Sequence, residues 1–264
     1  MDLSIAVSAT SSNDLEKCLR SVSRQGVSNI DVIVNNATDS PVISQIVMKY
    51  KYREIKLKTN ILLSRYITVK ETTGDYVLIM DDTRRLADGF INALSDHNIE
   101  PVTAIAEYQE GVGPYANLLR SVSGMDIDSR KLNPERIRYI LPRLYRRDVV
   151  MNALSRIRSK LPADLFASLE ALDLELIYYE AFAITRKTGF ITEPHIIHKE
   201  VSYLKDIKKM FKYGKSTRLL RKTTYKDMGN LGGRFRFANT LGNQIDGFIL
   251  MLIRGLPFFL GYVL

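Results

Sequence analysis

The apolar pattern changes period several times in the N-terminal third of the chain. Residues 3–9 (LSIAVSA) form an unbroken apolar run with β-branched members, followed by Thr10, Ser11, Ser12 and Asn13. Such a run bounded by turn residues predicts a buried strand, then a loop and a helix N-cap. From about Asp14 the apolar positions become Leu15, Leu19 and Val22, one face of a helix that Gly26 ends. Ile30–Val34 (IDVIV) predicts a second strand running into the polar stretch 35–40. Ile61–Lys70 predicts a helix closed by Gly74, and Tyr76–Met80 (YVLIM) a third buried strand delivering Asp81 and Asp82. Strands alternating with helices at this spacing imply a mostly parallel sheet flanked by helices, whose ligands bind at the carboxyl ends of the strands. Those ends are the loops 8–13, 35–40 and 81–85, all polar.

From Pro101 to Phe190 the pattern is more helical, with Ile137–Leu141, Val149–Ile157 and Leu165–Phe182 as candidate helices between Pro142, Pro162 and Gly189. After His198 a further helix is expected, with Leu204, Ile207 and Phe211 on one side and Lys205, Lys208, Lys209 and Lys212 on the other. The stretch 245–264 is strongly apolar but interrupted by Asp246, Arg254 and Pro257, which divide it into pieces too short to span a bilayer; an interfacial or re-entrant anchor is expected. The expected organisation is a domain over 1–200, with a nucleotide-binding half (1–100) and an acceptor half (101–200). A basic amphipathic segment and apolar membrane-associating tail follow over 201–264.

Charge sharpens this division. Between Lys199 and Arg236 stand twelve Lys and Arg against Glu200, Asp206 and Asp227, so the formal excess of +9 falls in that segment. A basic stretch next to the most apolar part of the chain suits an anionic membrane surface. It has few interleaved aromatics for base stacking, so nucleic acid is not an expected partner. The single cysteine, Cys18, makes no internal disulfide, and no cleavable leader pattern precedes the first strand. The location these features lead one to expect is the cytoplasmic side of a membrane, peripheral or monotopic.

The strongest chemical signal is GDYVLIMDDT, in which an apolar strand presents two adjacent carboxylates at its end. Such oxygens suit a hard divalent cation, Mg2+ or Mn2+, that neutralises a departing nucleoside diphosphate. They equally suit capping of a helix N-terminus.

The order of these pieces resembles family 2 glycosyltransferases of the GT-A fold. SIAVSATSSNDLEKCLRSVSRQ is similar to their opening strand, nucleotide-contacting loop and first helix; DVIVNNATDS to the base-contacting second strand; and LLSRYITVKETTGDYVLIMDDT to the stretch ending in the metal motif. The resemblance implies nucleotide-sugar contacts from Ser8, Thr10, Asn35, Asn36, Arg65, Asp81 and Lys215, and metal contacts from Asp81, Asp82 and His198. Asn35 and Asn36 stand where aspartate is usual, and Thr83 where a second metal-ligating Asp is usual. A family carboxylate that opens a later helix implies Asp173, or Glu175 in a shifted register, as general base; Glu170 lies in the same segment and reads as a solvated charge. Lys209, Tyr213, Gly214, Lys215 and Arg218 resemble an element near the acceptor side, and His195 is a lesser alternative to His198. With no tryptophan, the processive-synthase signature is absent. The resemblance therefore implies inverting transfer of one hexose from a UDP- or GDP-sugar to a lipid-linked or membrane-proximal acceptor. A non-catalytic nucleotide-binding membrane adaptor with a degenerate site is the alternative.

Overall fold

The computed structural model describes residues 1–27, 30–111, 113–123, 141–199, 202–226 and 241–264. Most of the expected helix over 137–141 and the end of the basic segment lie outside the described residues. The chain forms two compact units: Met1–Glu107 with Ile140–Leu169 and Asp173–His198, and Tyr108–Tyr139 with Glu170–Leu172 and Lys199–Leu264.

In the first unit, β1 (Leu3–Ala9) is buried along its whole length, as expected of a parallel strand covered on both faces. It pairs in parallel with β2 (Asp31–Asn36) on one side and β4 (Tyr76–Asp81) on the other. β3 (Arg53–Lys56) extends the sheet beyond β2, and β7 (Leu144–Arg146) joins β4 in antiparallel fashion. With β5 (Arg84–Leu86), β6 (Val102–Gln109) and β8 (Gly189–His198), the described strands run in the order β3-β2-β1-β4-β7-β6-β8-β5.

Helices complete the crossovers. α1 (Ser12–Ser23) buries Leu15, Cys18, Leu19 and Val22, and its exit turns at Gly26 with φ +68°, a left-handed conformation that glycine adopts without strain. α2 (Pro41–Lys49) leads to β3, and α3 (Ile61–Glu71) leads to β4. α3 buries a polar stripe of Ser64, Arg65 and Thr68 beside Leu62 and Val69. Gly74 enters β4 against β1 so closely that an added Cβ would lie 2.9 Å from the Ser4 amide nitrogen. α4 (Phe90–Ser95) follows β5.

Three local expectations change. The stretch expected to turn helical at Pro101 opens with β6, where Val102, Ala104 and Ile105 are buried. Asn35 and Asn36 end β2 and do not lie in the loop after it. The expected Leu165–Phe182 helix is two helices, α7 (Ala163–Ser168) and α8 (Asp173–Thr185), after α6 (Arg147–Lys160). The break falls at Leu172, whose φ of +73° is incompatible with a continuing right-handed helix. After α8 the chain returns to the sheet as one ten-residue strand, β8.

The second unit contains α5 (Pro114–Ser123), α9 (Tyr203–Leu220) and α10 (Leu241–Val263). α10 is continuous through Arg254 and Pro257, contrary to the two short stretches expected, and by length and composition Ile245–Val263 suffices to cross a membrane. The charge of Arg254 is answered by Asp206 of α9, which accepts from its Nε at 2.6 Å and from the Tyr115 hydroxyl. α9 packs through a third set of positions. Leu204 and Phe211 are exposed, whereas Asp206, Gly214, Thr217 and Leu220 are buried. The two helices approach most closely at Gly214 and Gly261, where a Cβ would run into Phe258 and Phe211 carbonyls respectively, so small residues make this contact.

Candidate active site

Strand register assembles the site. Because β2, β1 and β4 are parallel, Asn35, Ser8 and Asp81 stand side by side in one row at their carboxyl ends. Under this row lies the polar stripe of α3. Ser64 Oγ shares a 2.7 Å hydrogen bond with Ser8 Oγ and accepts from Asn35 Nδ2 at 2.9 Å. Asn35 Oδ1 is buried without a hydrogen-bond donor among the described residues. Asn36 is committed to its loop: its Oδ1 accepts from the Ser40 amide, and its Nδ2 donates to the Ser40 carbonyl and to Glu54.

Arg65, with only 1% of its side chain exposed, organises the centre. It donates to Ser8 Oγ at 3.2 Å, to the Met80 carbonyl at 2.6 Å, to Asp173 Oδ2 at 3.0 Å, and to Asp81 Oδ1. The other oxygen of Asp81 accepts from Arg84, and Arg143 stands 3.8 Å from it. Glu107, on β6, accepts from Arg84 Nε and Arg143 Nε. Three guanidiniums and three carboxylates thus interlock in the first unit. Burial alone would raise the Asp81 carboxyl, but the charges of Arg65, Arg84 and Arg143 hold it well below the usual carboxylate range. Glu107 is likewise lowered to about 2, with the pull of Arg143, Arg84 and His198 outweighing its burial.

Asp82 differs from its neighbour. Its Oδ2 accepts from the amides of Thr10 at 2.5 Å and Ser11 at 2.7 Å and from the Thr10 hydroxyl at 3.1 Å. It therefore caps the turn into α1, whose own N-cap Ser11 makes no side-chain cap. Burial pushes the Asp82 carboxyl up, against these donors.

Of the sequence-derived candidates, the structure brings Ser8, Arg65, Asp81 and Asp173 into one network and adds Thr10 through Asp82. Asp173 opens α8, while Glu175, two residues on, lies on a different face of that helix. His198 pairs with Arg84 in the β5–β8 register, which places both side chains on one sheet face. His195 Nδ1 lies 2.9 Å from Glu193. Lys215 belongs to the second unit, its Nζ 3.6 Å from Glu170, beside Lys212 at 3.2 Å. Arg84, Glu107, Arg143 and Ser64 were not anticipated. The legible signal was Glu107, a lone acid in the apolar stretch VTAIAEYQ, which as a strand had to find a buried cation.

Comparison with solved structures identifies the fold as GT-A. The chain is similar to S. aureus TarS 1–349 in complex with UDP, with 17% identity, 92% of this chain and 74% of that one covered, and a TM-score of 0.56. It is similar to glucosyl-3-phosphoglycerate synthase from Mycobacterium tuberculosis in complex with Mn2+, UDP and glucosyl-3-phosphoglycerate, with 12% identity, 84% and 79% covered, and a TM-score of 0.54. It is also similar to the mannosyltransferase PcManGT from Pyrobaculum calidifontis in complex with GDP-Man and Mn2+, with 12% identity, 95% and 75% covered, and a TM-score of 0.53. No family model matches the sequence, and neither does a curated protein.

A divalent cation accompanies two of these neighbours, but the side chains here do not fit one. Both oxygens of Asp81 are taken by guanidiniums, Asp82 is bound to the α1 turn, and no cluster of three His, Cys, Asp or Glu suited to a metal occurs among the described residues. A hard cation wants one or two carboxylates open to it, not a carboxylate ringed by positive charge.

Proposed function

We propose that the protein is a glycosyltransferase that moves one sugar from a UDP- or GDP-sugar to a lipid-linked or membrane-proximal acceptor with inversion. The observation that carries this reading is the Asn35–Ser8–Asp81 row at the strand ends of a GT-A sheet, with Asp173 tied to it through Arg65. Open α/β sheets bind ligands at such ends, and the neighbours of this fold hold UDP or GDP-Man.

In this reading Ser8, Thr10, Asn35 and the Asp81 loop receive the nucleotide. The Asp173 carboxylate, positioned by Arg65, takes the proton of the acceptor hydroxyl as its oxygen attacks the anomeric carbon. The bond from that carbon to the diphosphate oxygen breaks, and its electron pair leaves with the nucleoside diphosphate.

The second unit supports a membrane-proximal acceptor. Ile245, Phe248, Ile249, Leu252, Leu256 and Phe259 form an exposed apolar row along α10, and Lys205, Lys208, Lys209, Lys212 and Lys215 are exposed on α9. Apolar area and basic charge together are what attachment to an anionic lipid surface requires.

A membrane-bound nucleotide-binding adaptor without turnover is favoured by one observation, the engagement of the candidate base Asp173 by Arg65. Incubating the protein with a panel of nucleotide sugars and membrane lipid extract separates the readings. Enzyme-dependent release of UDP or GDP, abolished in Asp173→Asn, supports transfer. Donor binding without release supports the adaptor.

A further inference from the structure

The strand-end site carries its own fixed cations around Asp81. Asp81 is bracketed by Arg65 on Oδ1 and Arg84 on Oδ2, with Arg143 3.8 Å from Oδ2. A divalent cation bonded to either oxygen would have to displace a guanidinium and then sit beside the others. Asp82, the second carboxylate of the loop, is held instead by the Thr10 and Ser11 amides.

The three arginines are not equivalent. Arg65 and Arg143 are 1% and 3% exposed, whereas Arg84 is 10% exposed. Arg84 stands on the short strand β5 directly after the Asp81–Asp82–Thr83 loop, opposite His198. Its Nε is held by Glu107 at 3.2 Å and its Nη1 by Asp81, while its Nη2 has no hydrogen-bond acceptor among the described residues. Glu107 thus holds the guanidinium from behind and leaves one donor nitrogen uncommitted. A planar fork with unused N–H groups suits phosphate oxygens, which it binds through paired charge-assisted hydrogen bonds.

We propose that Arg84 binds the donor diphosphate directly, as a built-in replacement for a divalent cation, so that nucleotide binding at this site needs no metal. Arg65 and Arg143 act as positioning residues that keep Asp81 and Glu107 in place around it. The proposal rests on the donor-site reading above, and it assigns Arg84 the neutralisation of charge on the leaving nucleoside diphosphate.

Calorimetric titration of the full chain with UDP and with GDP, once in EDTA and once in excess MgCl2 or MnCl2, tests it. The expected result is saturable binding by one nucleotide with dissociation constants equal within about twofold in the two buffers, weakened at least about tenfold in Arg84→Ala and partly restored in Arg84→Lys. Circular dichroism checks that each variant folds. Arg84→Gln, which keeps bulk and an N–H donor without the charge, carries the same expectation if Arg84→Ala does not fold. Binding that appears only with Mg2+ or Mn2+, or that is unchanged in these variants, overturns the proposal while the donor-site reading stands. Binding of neither nucleotide in either buffer overturns both.

Discussion

Arg65 Nε donates to Asp173 Oδ2 at 3.0 Å, joining α3 to the first residue of α8 across 108 positions of sequence. The same guanidinium holds Asp81, so the candidate base and the strand-end carboxylate are placed by one buried side chain. Asp173→Asn is expected to lower kcat by at least about a thousandfold while the nucleotide dissociation constant stays within about threefold, because a base acts on the acceptor proton alone. Single-turnover assays beside nucleotide titration check this split. Equal losses in both would assign Asp173 to donor binding.

Glu107→Gln removes the carboxylate between Arg84 and Arg143 and leaves two buried guanidiniums short of a partner. About 3 kcal/mol of destabilisation is expected, lowering Tm by about 10 °C. The pH dependence has a definite sign. Glu107 is lowered from 4.5 to about 2 in the folded protein, so its contribution is present above about 4.5 and is lost as the pH falls toward 2. Urea midpoints measured through that window should fall steeply for the native protein and less steeply for Glu107→Gln.

Asp82→Ala strips the cap from the turn into α1, where Thr10 and Ser11 amides lose their acceptor. A loss of about 1–2 kcal/mol is expected. It should be read as faster hydrogen exchange over residues 10–15, with β1 itself unchanged. Unaltered exchange there would mean that Asp82 does not hold the loop.

The exposed apolar row of α10 is expected to carry membrane attachment. Leu252→Glu, Leu256→Glu and Phe259→Glu together should abolish flotation with anionic liposomes without unfolding the protein, since all three are exposed. Raising salt should weaken flotation of the native chain through the α9 lysines. A triple variant that still floats would show that another surface binds lipid.

The parallel core was legible because β1, β2 and β4 are runs whose burial on both faces leaves an apolar signature, and Leu15, Leu19 and Val22 mark α1 by spacing alone. Asp173 at a helix start came from resemblance, and the structure adds the physical reason: Leu172 breaks the chain with a left-handed turn just before it. The arginine cluster was hidden for a different reason. Arg84, Glu107 and Arg143 are far apart in sequence, the two arginines look like surface charges alone, and only the sheet order β7-β6-β8-β5 brings the three together. The packed side of α9 was not legible because Gly214 and Gly261 make contact through missing side chains, which a search for large apolar residues passes over.

Hydrogen exchange of the purified protein, with and without saturating UDP-sugar or GDP-sugar, tests the donor-site claim most directly. The account predicts that one of the two protects the amides of residues 8–11, 35–38 and 81–84, the three loops that share the strand-end row. Saturating donor that protects none of these, or that protects only residues elsewhere in the chain, would contradict it.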